Sequence, residues 1–209
     1  MKTLKTLLKI MAILPVILLY IACNPLSDDT RSASILIVEN LTGSDLEGNT
    51  ANFLQSDVIF QDPEDPESST IYADPALVSF TAQLLDPASL TGPSYLNDIT
   101  VTRYVVSYIR ADGRNTEGVD VPYSFEGNLS IVVPIDSMVE ANFIIVREVA
   151  KLEPPLIGLH EWRDAGVINC TAKVDFYGQD QVGNKVKATG YLTVYFANYA
   201  NESSGGGGN

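Results

Sequence analysis

The chain has 209 residues, with 26 acidic against 13 basic residues, one histidine and a formal net charge of −13 at pH 7. A balance this acidic, with no cluster of Lys or Arg, excludes the positive footprint that a nucleic-acid backbone or an anionic lipid surface requires. Two cysteines, Cys23 and Cys170, allow one disulfide at most, so a core must hold the fold together.

The chain opens with Lys2, Lys5 and Lys9 and then an uncharged run from Ile10 to Ala22 that contains Pro15. Thirteen residues are too few for a bilayer-spanning helix and suit the apolar region of an export signal. The run ends in Leu19-Tyr20-Ile21-Ala22-Cys23, which resembles the bacterial lipobox, with the small Ala22 before the cysteine; Leu19 stands one position further out than in that pattern. The resemblance implies cleavage after residue 22 and acylation of Cys23; the alternative is an ordinary secretory signal in which Cys23 is incidental. Two or three acyl chains would hold the protein firmly to a bilayer, whereas one binds only marginally. Asn24 after the cysteine resembles the outer-membrane-directed case, so the expected location is the cell envelope, at the outer membrane if the cell has one. Cleavage would leave 187 residues with net charge −16. It would also leave Cys170 without a disulfide partner.

Residues 23–33 are polar and aperiodic, including Pro25, Asp28 and Asp29, and are read as a tether. One domain is expected over residues 34–200, followed by a disordered Gly/Ser tail at 201–209. Within the domain, Ser34–Val38 and Ser56–Phe60 carry strand-forming residues, and Asp62, Glu64, Asp65 and Glu67 follow in an acidic loop stiffened by Pro63 and Pro66. Those four carboxylates are the one candidate for metal, namely Ca²⁺, although neither their spacing nor a turn glycine matches an EF-hand and a solvated acidic loop explains them as well. No other cofactor is expected.

Strand character returns at Leu77–Leu85, Ile99–Arg110, Leu129–Val133 and Phe143–Val149. Between the second and third of these segments, the polar stretch Arg110–Phe125 carries Arg110, Arg114, Asn115, Asp120 and Tyr123, a long loop of the kind that recognition uses, though Asp112-Gly113 also serves simply to turn the chain. Glu153–Asp164 has room for one helical turn and contains His160, the sole histidine.

The sharpest pattern is at the C-terminal end. Ile168, Cys170, Ala172, Val174 and Phe176 alternate with polar residues, Val182-Gly183-Asn184 makes a turn, and Val186, Ala188, Gly190, Leu192, Val194 and Phe196 alternate back. Period two on both sides of a turn predicts an antiparallel hairpin in which Phe176 opposes Ala188, Val174 opposes Gly190, Ala172 opposes Leu192 and Cys170 opposes Val194. Tyr177, Tyr191 and Tyr195 then share the outer face as a possible contact row, the other reading being strand-favouring residues covered by their neighbours. About eight strands and no helical periodicity of useful length predict an all-β antiparallel sandwich.

Tyr104-Val105-Val106-Ser107-Tyr108 with its Asp112-Gly113 turn is similar to the central strand of immunoglobulin-like and fibronectin-III-like domains, and Asp180-Gln181-Val182-Gly183-Asn184 to the turns of bacterial immunoglobulin-like modules. The resemblance implies an immunoglobulin-like sandwich with long loops and little helix; it names no activity. Motifs for a zinc protease, a phosphate-binding loop, a dinucleotide fold or a serine nucleophile elbow are absent. The sequence therefore points to a non-catalytic envelope lipoprotein that serves as an interaction or scaffold module for another envelope protein. The alternatives are a binder of carbohydrate or Ca²⁺ and, further off, a hydrolase built on a pair of carboxylates.

Overall fold

A computed structural model describes residues 32–61, 69–88, 92–160 and 166–199. Residues 1–31, the carboxylates Asp62, Glu64, Asp65 and Glu67, and the 201–209 tail lie outside these, and with them the export signal, Cys23 and the candidate Ca²⁺ loop.

The described residues form an all-β sandwich. In chain order the strands are β1 (Ser34–Ser44), β2 (Thr50–Ala51), β3 (Phe53–Asp57), β4 (Phe60–Gln61), β5 (Ser69–Thr70), β6 (Asp74–Leu84), β7 (Ile99–Ile109), β8 (Phe125–Val133), β9 (Met138–Val146), β10 (Ile168–Asp180) and β11 (Lys185–Ala197). Among the described residues, helix is confined to α1 (Glu148–Lys151) and two 3₁₀ turns, Tyr95–Asn97 and Leu156–Leu159. One sheet has the order β2-β1-β6-β9, the other β3-β11-β10-β7-β8, and β4 pairs β5 in a small ribbon.

The final hairpin forms in the register set by its alternation. Cys170 opposes Val194, Ala172 opposes Leu192, Val174 opposes Gly190 and Phe176 opposes Ala188. A slip of one residue would turn Lys173 and Asp175 into the core, and the cost of that fixes the pairing. Gly190 gives the facing sheet room: a Cβ there would stand 3.1 Å from Cγ1 of Val38 and 3.3 Å from Cδ2 of Leu41, both on β1. Asp180 closes the turn. Its carboxylate accepts hydrogen bonds from the backbone N–H of Val182 (3.1 Å) and Asn184 (2.8 Å), from Asn184 Nδ2 (2.8 Å) and from Ser32 Oγ (2.8 Å), while Gly183 takes the left-handed conformation at φ +93°.

Apolar residues of one parity from each sheet meet in a shared core. Phe80 of β6 stands edge-on to Phe176 of β10 at 4.9 Å, and Phe143 of β9 lies 4.9 Å from Tyr104 and 5.3 Å from Phe176. Edge-to-face contacts of this kind add to the stabilisation from area burial. The buried Tyr108 hydroxyl on β7 donates to the Ile145 carbonyl on β9 at 2.6 Å, which satisfies its polar atom and ties the two sheets.

Four expectations need correction. The second sheet is mixed rather than purely antiparallel: after β2 pairs with β1, the chain passes to the other sheet at Asn52 and β3 runs parallel to β11. The segment Ser56–Phe60 is two short pieces, because Val58 turns fully into the core and its N–H donates to the Ala197 carbonyl (3.0 Å). Strand structure stops at Val146 rather than Val149, since α1 turns the chain inward to bury Lys151. Finally, the folded domain already includes Ser32 and Ala33, which the sequence assigns to the tether: Ser32 is buried against Asp180, and Ala33 accepts from the Leu85 N–H at 2.8 Å.

Candidate functional site

The loop between β7 and β8 is ordered by its own polar residues. At its start, Arg110 and Arg114 both close on Asp112: Arg110 Nη2 lies 2.7 Å and Arg114 Nη2 2.8 Å from Oδ2, with the two Nε atoms donating to the same carboxylate at 3.2 and 3.0 Å. These two guanidinium groups, Arg110 foremost, hold the Asp112 carboxyl well below the usual carboxylate range. Asn115 Oδ1 accepts from the Arg110 backbone N–H at 2.7 Å, and Asp120 Oδ2 from that of Thr116 at 3.2 Å, so both side chains shape the backbone. Val121 is fully buried and anchors the loop to the core. Gly118, at φ +73°, lies directly beneath the Tyr123 ring, where any side chain would collide with it; Tyr123 itself remains exposed on its other side.

This loop meets the outer face of the hairpin. Arg110, Ala111 and Asp112 border an open groove of about 400 Å³ whose floor and far wall are Val167, Asn169, Thr171, Thr193 and Tyr195. Asn169 opposes Tyr195 and Thr171 opposes Thr193, so the four residues are two neighbouring cross-strand pairs pointing the same way. Phe53 of β3 stands edge-on to Tyr195 at 5.9 Å and fixes its ring, and the Tyr199 hydroxyl donates to the Tyr195 carbonyl (3.3 Å). Asp112 is the one carboxylate among the described lining residues.

The structure therefore joins Arg110 and Tyr195 in one place, with Arg114 behind them on Asp112. Tyr191 lies on the same face, 59% exposed. Tyr177 faces out too but is half-covered: the Arg103 guanidinium sits 4.1 Å and the Lys187 ammonium 5.3 Å from its ring centroid. The tyrosines are thus no uniform row. Asn115, Asp120 and Tyr123 belong to the loop and do not line the groove. Asn169, Thr171 and Thr193 were not singled out from the sequence, although their parity with Tyr195 places them on its face.

The Cys170 thiol and one ring nitrogen of His160 are withdrawn from solvent. Cys170 is buried, and burial pushes its thiol up to about 11. His160 has its Nε2 buried with no hydrogen-bond partner. Among the described residues, no three His, Cys, Asp or Glu side chains gather as a metal site would require. No protein-family model and no curated protein matches the chain. The site is therefore characterised by its chemistry: a fixed guanidinium–carboxylate fork, the hydroxyl or amide side chains of Asn169, Thr171 and Thr193, and the braced aromatic ring of Tyr195.

Proposed function

We propose that the chain is a lipid-anchored protein of the cell envelope whose sandwich is a non-catalytic interaction module, immunoglobulin-like in its strand plan, and that it engages another envelope protein through the groove between Arg110 and Tyr195. The observation that carries this reading is the meeting of the Arg110–Arg114 loop with Tyr195, Asn169, Thr171 and Thr193 on an open face. Aromatic and arginine side chains in a rigid setting are the usual anchors of protein interfaces, and a preformed loop loses little entropy on binding. The buried, high-pKa thiol of Cys170 and the buried His160 Nε2 favour binding over catalysis. The basic start, apolar run and Cys23 support export and anchoring.

Crosslinking and affinity recovery from native membranes test the proposal. Wild-type protein should recover one partner that Thr193→Lys and Tyr195→Ala variants lose by tenfold or more while keeping the wild-type unfolding midpoint. Recovery unaffected by both variants would refute the assignment of this face. For the anchor, Cys23→Ser should release the protein from membranes, and an unchanged membrane fraction would refute lipidation.

A second reading, carbohydrate binding at the same groove, is favoured by its hydroxyl and amide lining beside an aromatic ring. A glycan array probed with the same two variants separates the readings, because only the carbohydrate reading expects variant-sensitive binding with no partner protein present.

A further inference from the structure

The fold gathers cations that the sequence scatters. Six of the eight Lys and Arg side chains among the described residues stand on one side of the sandwich: Arg103, Lys173, Lys185 and Lys187 on the outer face of the second sheet, and Arg110 and Arg114 in the loop that meets it. The remaining two are Arg147 and the buried Lys151. The strands of the other sheet, β1, β2, β6 and β9, contain no Lys or Arg, and expose Glu39 and Glu140.

Strand pairing sets these cations in a continuous strip. Tyr177 lies between its cross-strand partners Lys187 on β11 and Arg103 on β7, and Asp175, on the same face, takes Lys173 at 3.2 Å and Lys187 at 3.0 Å on one oxygen. Arg103 pairs with Glu126 at 2.9 Å, and Lys185 is exposed and forms no ion pair among the described residues. With the fork at Asp112, six cations stand against three carboxylates, Glu126, Asp175 and Asp112, on the side of a chain whose formal charge is −13. Screening confines the reach of more distant acids to about 8 Å at physiological ionic strength, so a segment lying on the strip meets the local excess rather than the total. The strip continues the groove at Arg110 and Tyr195, because Thr193 and Thr171 of that groove are followed on the same face by Tyr191 and Lys173.

Resting on the reading of that groove as a protein interface, we infer that the strip binds an acidic, extended segment of the partner protein with Asp or Glu at every second position. Spacing favours a peptide. Lys185 and Lys187 stand two residues apart on one face of β11, roughly 6.6–7 Å, and the side chains of an extended segment repeat at the same distance. A stacked sugar chain would need a row of open rings, but Tyr177 is covered by Arg103 and Lys187, 4.1 and 5.3 Å from its centroid. The resident carboxylates already hold the cations in place, so little side-chain entropy is lost when a partner's acid arrives.

Anisotropy titrations of the purified full-length protein test this with labelled peptides of about ten residues, enough to cover the strip at roughly 3.3 Å per residue. One peptide has Glu at every second position with Thr between, another has the same composition in two blocks, and a polyuronate of equal charge stands for an acidic glycan. The alternating peptide should bind at least threefold more tightly than either, and less tightly as salt is raised. Lys185→Gln should weaken it about threefold, and Lys185→Gln combined with Lys187→Gln about tenfold, at an unchanged unfolding midpoint. Gln83→Glu, which makes the same change in net charge as Lys185→Gln but on the opposite sheet, should leave binding unaltered. No binding of the alternating peptide, tighter binding of the block peptide or the polyuronate, indifference to the lysine substitutions, or an equal loss in Gln83→Glu would overturn it. Partner recovery from membranes separates the strip from the interface beneath it, and both Tyr195→Ala and the double lysine variant should lose the partner. A partner lost by Tyr195→Ala and retained by the double lysine variant leaves the interface standing and overturns the acidic segment; a partner retained by both refutes the interface itself.

Discussion

Two ion clusters at different depths carry opposite roles. In the interior, Lys151 reaches from α1 with only 1% of its side chain exposed and places Nζ 2.9 Å from Asp74 Oδ2 and 2.7 Å from the Asp57 carbonyl, while Ser56 Oγ donates to Asp74 at 2.6 Å. At the surface, Asp112 holds Arg110 and Arg114 with comparably short contacts in open solvent. The titration of the two aspartates differs in sign. Burial raises the Asp74 carboxyl above its ordinary value despite Lys151 and Ser56, whereas the Asp112 carboxyl is lowered by its two arginines. Similar pairing geometry therefore has different consequences: water still screens Asp112, but Asp74 has traded its hydration for two fixed partners, Lys151 and Ser56. The inner cluster fastens α1 to β3 and β6; the outer one shapes a loop at a groove.

The largest effect should come from breaking the inner cluster. Lys151→Met leaves Asp74 buried without a countercharge and should destabilise the fold by about 3–5 kcal/mol in urea unfolding. The double substitution Lys151→Met, Asp74→Leu should recover most of that loss, because replacing a buried pair with apolar side chains is often neutral. A double variant no more stable than the single one would show that the cluster's worth lies elsewhere.

Asp180 is an intermediate case: a buried carboxylate satisfied by hydrogen bonds alone. Burial pushes its carboxyl up, but the donors from Asn184, Ser32 and Val182 together outweigh it and the net value is lowered. A lowered carboxylate stabilises the fold fully above its unfolded value of about 3.9 and loses that contribution as pH falls through the folded value. Asp180→Asn should cost about 2 kcal/mol at pH 6, consistent with hydrogen bonds to a charged acceptor. The gap from wild type should narrow on acidification towards pH 2.5. An equal gap at both pH values would show that the charge on Asp180 is not what the turn uses. Smaller again, Ser56→Ala removes one donor to Asp74 and should cost about 1 kcal/mol.

What was legible in the sequence follows the same division. The final hairpin was readable to the residue, because strict alternation makes a one-residue slip bury Lys173 and Asp175 and the turn at Val182–Asn184 sets which residues face each other. The sandwich followed from β-rich segments punctuated by turn residues. Lys151 was not readable: α1 is a single turn with no period, and a lone lysine is ordinarily a surface residue. The passage of the chain from β2 to β3 was equally hidden, since parallel pairing with β11 depends on the far end of the chain. Of the surface, the Arg110–Arg114 loop and the outward parity of Tyr195 were visible separately. Their meeting was not, because it depends on β7 lying next to β10 and is a property of strand order.

The smallest stability effect should come from the outer fork, and there stability and binding should separate. Arg114 is largely exposed, and its pairing with Asp112 exchanges hydration for contact with little net gain. Arg114→Ala should therefore leave the urea midpoint indistinguishable from wild type. Asp112 would still be held by Arg110, whose side chain is only 18% exposed and which continues to fix the near wall of the groove. Asp112→Asn goes further: without the carboxylate, both guanidinium groups are released and Arg110 can swing across Asn169 and Thr171. The expected outcome is an unaltered midpoint for both variants, with amide shifts over residues 110–116 and 169–171 and loss of partner recovery for Asp112→Asn alone. Equal losses of stability and binding would place the fork with the inner cluster, as part of what holds the fold; binding lost without stability would place it with the groove.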